Sequence, residues 1–442
     1  MTGCCVQMPV SPGDDPAWAY DAAVSASGQN ASATSVAADV KPPVAPAPRA
    51  TMTGDWGGVR TRLADAGLDI DANYVSETMS AIDGGLRRGT TYAQTARLNA
   101  HLDLDKIAGW SGALVHISLN DRRGAGISSD FVGNKLQIQQ VAGGYFTRLT
   151  EFSYEQNLAG GKLNWRLGYF SMGNERANTA AWGCDFLNAT FCAHPVALSA
   201  NSGWYNYPAA RWGAGIRYRL RPDVVVSTGI YQVNPELNVL NKAIAFNPFG
   251  GHTIGAIMPA EVEYDPGIRP NSHVLPGHYK IGAYYDTSRV ARQGNVGTVR
   301  GRYGLYFLAD QMILRGKGAQ GLSIFFELTV APKSTAQATR GYQGGIFKVG
   351  TFRGRDADTV ALGFAYAELN PRLRRVHAES EPVAGNSELP AGETLIELSY
   401  DIRVRRWLSI RSDVQYVLDP GTFGYRATQN ALVLGGQIKV EL

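Results

Sequence analysis

The sequence predicts an all-β protein: a transmembrane antiparallel barrel of about sixteen strands behind a short N-terminal helix. Three observations predict it. The first is side-chain alternation, which runs from about residue 68 to the last residue. In the terminal stretch, Leu432, Leu434, Ile438, Val440 and Leu442 fall on one face, and Val433, Gln437, Lys439 and Glu441 fall mostly on the other. Successive side chains of a strand point to opposite faces, so one face can meet lipid and the other water. The second is composition. The chain holds 51 glycines, and its 21 tyrosines outnumber its 15 phenylalanines, a mix that suits strands, tight turns and interfacial aromatic girdles. The third is the lack of any apolar run near the roughly 20 residues that a spanning helix needs. Mean hydropathy is −0.17, so a membrane crossing here requires a closed barrel, which satisfies every backbone group in lipid.

Residues 1–50 read as a leader or tether without a packed core, rich in Ala, Pro and Ser and ending in Pro42-Pro43-Val44-Ala45-Pro46-Ala47-Pro48. Ala17-Trp18-Ala19 resembles a small-x-small cleavage site, yet the basic and apolar parts of a secretory signal do not precede it. The expectation is a signal truncated by too late a start, with the barrel domain at 51–442. Thr53-Gly54-Asp55-Trp56-Gly57-Gly58-Val59-Arg60 then leads into an amphipathic stretch, Val59 to Ala66, stopped by Gly67; it predicts about two helical turns.

Strands are predicted near 68–78, 93–105, 112–121, 147–158, 162–171, 210–220, 223–232, 255–264, 278–287, 299–311, 320–331, 342–352, 357–369, 391–404, 406–418 and 431–442. Bacterial single-chain barrels have an even strand number, short turns on one rim and long loops on the other. Connections here alternate mostly in that way. Asn157–Lys162, Leu220–Asp223, Arg315–Gln320, Arg353–Asp356 and Val404–Arg406 are short; Asp121–Thr147, Ser171–Arg211, Tyr231–Gly255 and Asn370–Gly392 are long. The strand at 255–264 is needed to keep the alternation, although Pro259 weakens it.

Apolar parity assigns the faces. Leu98, Ala100, Leu102 and Leu104 point outward and Arg97, Asn99, His101 and Asp103 point to the lumen. Val115, Ile117 and Leu119 oppose His116, Ser118 and Asn120; Leu163, Trp165, Leu167 and Tyr169 oppose Asn164 and Arg166; Trp212, Ile216 and Tyr218 oppose Arg211, Arg217 and Arg219. A cation on the lipid face at mid-depth costs about 2–4 kcal/mol, so parity outweighs propensity. The inward set mixes Arg97, Arg166, Arg211 and Arg217 with Asp103, Glu151, Glu155, Glu327 and Asp413. Such a wall can hydrogen-bond a neutral polyol from many directions. The simpler reading of each charge is that it pairs with a neighbour and keeps the lumen wet.

Several segments resemble the carbohydrate-selective porins, the OprB-like family. Thr53 to Arg60 with Leu63 and Gly67 is similar to its opening signature. Leu275-Pro276-Gly277-His278-Tyr279-Lys280-Ile281-Gly282 and Gly304-Leu305-Tyr306-Phe307-Leu308-Ala309-Asp310-Gln311 resemble two of its strands. Glu397-Leu398-Ser399-Tyr400 with Trp407-Leu408-Ser409-Ile410 and Asp413-Val414-Gln415-Tyr416-Val417 follows, and Asn430 to Gly436 closes the order. The resemblance covers about residues 51–442. It implies a 16-stranded outer-membrane barrel that passes mono- and small oligosaccharides by facilitated diffusion, narrowed by loops that fold inward. It implies sugars, the lipid and lipopolysaccharide of the outer membrane and the barrel-assembly machinery as partners, and no cofactor. Loop candidates for the constriction are Arg122, Arg123, Asp130 and Lys135 in one long loop, and Glu175, Arg176, Asp185, Trp204 and Tyr205 in another, with Trp204 and Tyr205 as faces on which a sugar stacks. Leu442 stands where such barrels typically end in an aromatic.

Other chemistries fit less well. A net charge of +4 without a block of one sign argues against nucleic acid. Gly316-Lys317-Gly318-Ala319-Gln320-Gly321 matches G-x-G-x-x-G but runs into the strand-like Leu322-Ser323-Ile324-Phe325-Phe326, so it reads as a turn. His252, His273 and His278 are too scattered for a metal site. Glu261 and Glu263 are two apart on a strand and face the same way, as wall residues rather than a glycosidase pair. No enzyme is expected. Cys184 and Cys192 flank a predicted exposed loop and are a candidate disulfide in an oxidising compartment. The inward arginines keep a second reading open, a general or anion-leaning pore.

Overall fold

The structure is a computed structural model describing residues 51–178, 185–191, 194–237, 243–245, 247–267, 272–380 and 389–442. The leader 1–50 and the cysteines Cys184 and Cys192 lie outside the described residues. Sixteen antiparallel strands close into a barrel: β1 Leu68–Gly85, β2 Gly89–Asp103, β3 Ala113–Gly124, β4 Phe146–Leu158, β5 Leu163–Phe170, β6 Arg211–Arg221, β7 Val224–Val233, β8 Gly255–Tyr264, β9 Gly277–Ala291, β10 Thr298–Arg315, β11 Gly321–Val330, β12 Ala338–Val349, β13 Thr359–Leu369, β14 Gly392–Arg405, β15 Leu408–Leu418 and β16 Gln429–Glu441. Each pairs with its sequence neighbour, and β16 closes on β1 with Asn73 opposite Glu441 and Ser80 opposite Leu434. A further three-residue strand, Ala243–Ala245, adds in parallel to β4 at Phe146–Arg148, beyond the point where the short β5 ends.

The predicted set maps onto the observed one strand for strand. The largest difference is at β1 and β2, which run on through residues 79–92 and join by a tight turn at 86–88. Thr90, Thr91 and Tyr92 are strand-formers that the expected boundary left outside. β8 tolerates Pro259 by a local break. The β7–β8 ladder skips from Thr228–Ala260 to Tyr231–Ile257, and the Thr228 hydroxyl donates to the Pro259 carbonyl at 2.9 Å. The G-x-G-x-x-G segment is the turn between β10 and β11, closed by Gly316 N–H donating to Gln320 O at 2.9 Å.

Helix α1, Val59–Asp65, forms where expected. It sits by the C-terminal strand: Arg60 stacks its guanidinium 4.3 Å over Trp56 and donates from Nη2 to the Leu442 carbonyl at 3.0 Å. Lys439 and Glu441 pair at 3.1 Å. Helix α2, Leu104–Ala108, follows β2. It corrects the placement of Leu104 on a strand and of Asp103 on the lumen wall. Asp103 is the N-cap, and its carboxylate accepts from the backbone N–H of Asp105 and Lys106, groups that a helix start leaves unpaired.

The lipid-type face follows the parity. Leu98, Leu167, Ile216, Leu362, Leu398 and Ile438 are all exposed on the outside. Aromatic clusters mark the short-turn rim, where Tyr154 lies 5.6 Å from Trp110 and 5.2 Å from Trp165. Tyr169 departs from the expected exposure. It is buried on Trp212 with Ala210 and Leu237, because Leu237 and Pro248 from beyond β7 lie against this corner of β5 and β6, with Trp212 Nε1 donating to the Pro248 carbonyl.

Candidate permeation site

The lumen is not an open tube. The loop of residues 125–145, between β3 and β4, and the described residues of the connection between β5 and β6, 171–178, 185–191 and 194–210, both pack against the inside wall. The sequence explains why they stay there. Positions of β11–β16 that face inward include Phe325, Phe347, Ala361, Ala365, Leu395, Val417 and Val433, and these are buried together with Ile127, Val132, Leu136 and Ile138 of the first loop and Phe186, Leu187 and Phe191 of the second. Phe186, Phe191 and Phe325 form an aromatic triad with ring centroids 4.4, 5.5 and 6.1 Å apart. Gly363 makes the seat: a Cβ there would stand 2.9 Å from Phe186 and from Phe191. Helix α3, Val196–Asn201, packs on β11 and β12, and Asn201 exchanges hydrogen bonds with the backbone of Gln337 and Ala338.

An inserted loop buries backbone N–H groups with no ladder to receive them, and each needs an acceptor. Five wall carboxylates supply it. Glu77 accepts from Val141 N–H at 3.2 Å, Glu261 from Ala177 at 2.7 Å, and Asp286 from Gly203 at 2.7 Å. Glu393 accepts from Lys135 and Leu136, and Glu397 from Leu187 and Asn188. The two loops also bind each other: Ala189 N–H donates to Gln137 O at 2.9 Å, and Asn188 Nδ2 reaches both Leu136 O and Gln415 Oε1. Sequence reasoning missed all but Glu261 of these acids as wall residues, and it missed their role. The available signal was apolar residues at inward parity, which a purely aqueous lumen does not ask for.

The remaining wall groups form polar networks. Arg166 binds Glu151, donates to Glu175 Oε1 at 3.1 Å and to Ser153 Oγ at 2.9 Å. A chain of contacts crosses β1 to β4: Asp71 lies 3.4 Å from His101, whose Nδ1 is 2.7 Å from His116 Nδ1, and His116 Nε2 lies 3.1 Å from Glu155. Arg217 pairs with Glu263 at 3.3 Å. Glu261 and Glu263 are both wall residues. Glu327 is buried on β11, which carries α3. Arg97 donates to Asn99 at 2.7 Å and lies 4.7 Å over Tyr207, and Arg211 lies 3.8 Å over Tyr205.

Four further residues are placed differently from the sequence reading. Arg122 and Arg123 belong to β3, not to a loop. Arg122 is buried inward with Nη1 on the Ala142 carbonyl, whereas Arg123 lies on the opposite face, paired with Asp121 at 2.6 Å and bonded to Thr147. Trp204 is 0% exposed, packed edge-on to Tyr284 and Tyr306, and Tyr205 is 5% exposed. Both rings are packing that fixes the second loop rather than faces open to a solute. The reason is the aromatic lining on β9 and β10, which offers Trp204 a dry pocket.

His194 stacks on Trp204 with centroids 6.2 Å apart, and the Asn206 amide donates to its Nδ1. Burial pushes the imidazole down to about 3. Above its ordinary value near 6.5 the group costs nothing. As pH falls from there towards 3, the undocked loop takes up a proton that the docked one refuses, a loss of roughly 4–5 kcal/mol at the lower end. Acidification should therefore unseat this segment, read as a change in Trp204 fluorescence against a Trp204→Phe blank. His194→Gln should remove the transition; an unchanged transition in that variant assigns it to another group.

A family model described as carbohydrate-selective porin, OprB family, matches residues 87–442. Porin B of Pseudomonas aeruginosa is 32% identical over 419 residues, covering 88% of this chain and 90% of that protein. A putative porin, QuiX, of Acinetobacter baylyi is 27% identical over 412 residues, with 88% and 92% coverage. Among solved structures, the high-pH form of Pseudomonas putida OprB superposes with a TM-score of 0.80 at 30% identity, over 89% of this chain and 98% of that one. The low-pH form gives 0.58 at 26% identity.

Proposed function

The chain belongs to the OprB family of carbohydrate-selective porins, and on that premise we propose that it is an outer-membrane channel for facilitated diffusion of mono- and small oligosaccharides. It is a transport channel rather than an enzyme, and no bond is made or broken. The observation that carries the reading is the pair of inserted loops, which narrows a sixteen-stranded barrel while leaving walls lined by amides, hydroxyls and paired charges of both signs. Such walls replace the water around a polyol without favouring one ion strongly. Arg97, Arg166, Arg217, Glu151, Glu155 and His101 are the wall groups proposed to meet the solute. On this reading the apolar belt contacts lipid and lipopolysaccharide, the short turns face the periplasm, and the barrel-assembly machinery inserts the closed sheet.

One observation favours a second reading, a pore that leans toward anions. Arg97, Arg122, Arg148 and Arg211 gather around Tyr205 and Tyr207 on one side of the lumen. Liposome swelling with a series of sugars, paired with ion selectivity in planar bilayers, separates the two. Sugar uptake graded by size with weak ion selectivity is the expected result. Strong anion selectivity without sugar uptake would replace the first reading by the second.

A further inference from the structure

We propose that Glu393 and Glu397, on one face of β14, are the positioning residues that set the width of the pore by clamping the two inserted loops through backbone N–H groups. The proposal rests on the reading of the chain as a solute-conducting pore narrowed by those loops.

The inner face of β14 reads Glu393, Leu395, Glu397, Ser399 from the loop rim inward, and all four are buried. Each does a separate part of the holding. Glu393 Oε1 accepts from Lys135 N–H at 3.0 Å and Leu136 N–H at 2.7 Å, and Oε2 accepts from Lys135 at 2.8 Å. Leu395 packs into the apolar cluster shared by both loops. Glu397 Oε1 accepts from Leu187 N–H at 2.5 Å and Asn188 at 3.3 Å, and Oε2 from Asn188 at 3.1 Å. Ser399 Oγ donates to the Asp185 carbonyl at 2.5 Å. One strand therefore grips the first loop with one acid and the second with the next.

The chemistry favours a carboxylate at both positions. Two consecutive backbone N–H groups point the same way, and both oxygens of each acid are engaged. A glutamine of the same shape offers only one acceptor and turns an NH2 group on the loop N–H. The surrounding contacts share the load. Arg411 Nη1 donates to the Phe186 carbonyl at 2.8 Å while its Nη2 binds Asp401, and Gln415 bridges Asn188 and Ile138. Because Asn188 and Gln137 tie the loops together, releasing either acid loosens both.

The test uses the full chain carrying Glu393→Gln and Glu397→Gln, with Asp83→Asn, an exposed rim acid paired to Arg88, as control. Residue-resolved amide exchange in micelles should show Lys135, Leu136, Leu187 and Asn188 protected in the parent like strand amides. In the double variant their protection should fall by roughly threefold to tenfold, the factor that losing the net contribution of a hydrogen bond corresponds to. Single-channel records should show higher conductance and more open-channel noise, and swelling should admit larger sugars. Gln keeps the volume of Glu, so a role in packing alone predicts no change in any readout, and that result overturns the proposal. Should the double variant not insert, the parent decides: exchange of those four amides at the rate of exposed loops overturns it. Exchange is read without solute, so loss of the sugar-porin reading, seen as no swelling by the parent, is distinguishable from loss of the clamp.

Discussion

Replacing Phe186 and Phe191 together by alanine should undock the second loop and convert the narrowed channel into a wide, noisy one. Both side chains are almost wholly buried and pack on Phe325 and against Gly363. Removing a buried phenylalanine costs about 3–5 kcal/mol through lost transfer energy and the cavity left behind. The two rings touch each other, so the pair should cost less than twice that amount. The loss falls on residues 185–191, where these rings supply most of the apolar contact, and each hydrogen bond left there returns only about 1 kcal/mol net. Barrel strands β11–β13 keep their ladders, because no strand hydrogen bond depends on either ring. The expected outcome is unchanged far-UV circular dichroism, increased single-channel conductance and uptake of sugars that the parent excludes. Parent-like conductance and size cutoff would show that loop docking does not depend on the triad.

That prediction could not have been written from the sequence, although its materials were visible there. The barrel was legible because two independent periodicities agree: alternation along each strand and the short–long rhythm of the connections. The second recovered β8 in spite of Pro259. Faces were legible because a cation in lipid is expensive, so Arg97 and Leu98 could not be exchanged. The inserted loops were legible only as lengths. Where a loop of twenty or more residues goes depends on contacts far apart in the chain, such as Leu187 with Glu397, and no local pattern encodes that pairing. The misplacements share this cause. Trp204 looks like a stacking platform in isolation and becomes core once Tyr284 and Tyr306 surround it. Asp103 looks like a lumen carboxylate by parity, but Gly109 with φ 69° ends a one-turn helix that Asp103 starts. Arg123 keeps the parity of its strand, and the sequence reading ended that strand three residues too early.

Leu98→Arg should destabilise the barrel by about 2–4 kcal/mol, the cost of a cation at mid-depth on the lipid face. Leu98 is 48% exposed on the outside of β2, opposite Ala72 and Leu119 on its two neighbours. Arg97, one residue earlier, holds the same charge on the same strand and is satisfied by Asn99 and by the Tyr207 ring. The comparison isolates the face, because depth and strand are held nearly constant. Neither neighbour of Leu98 offers a carboxylate, so the new guanidinium must reach for the rim or stay unpaired. Equilibrium unfolding in urea from lipid bilayers measures the loss, with Leu98→Met as a control that keeps the apolar face. Stability equal to the parent would mean that this face of β2 does not meet lipid, and the inward assignment of Arg97, His101 and their partners on β3 would fall with it.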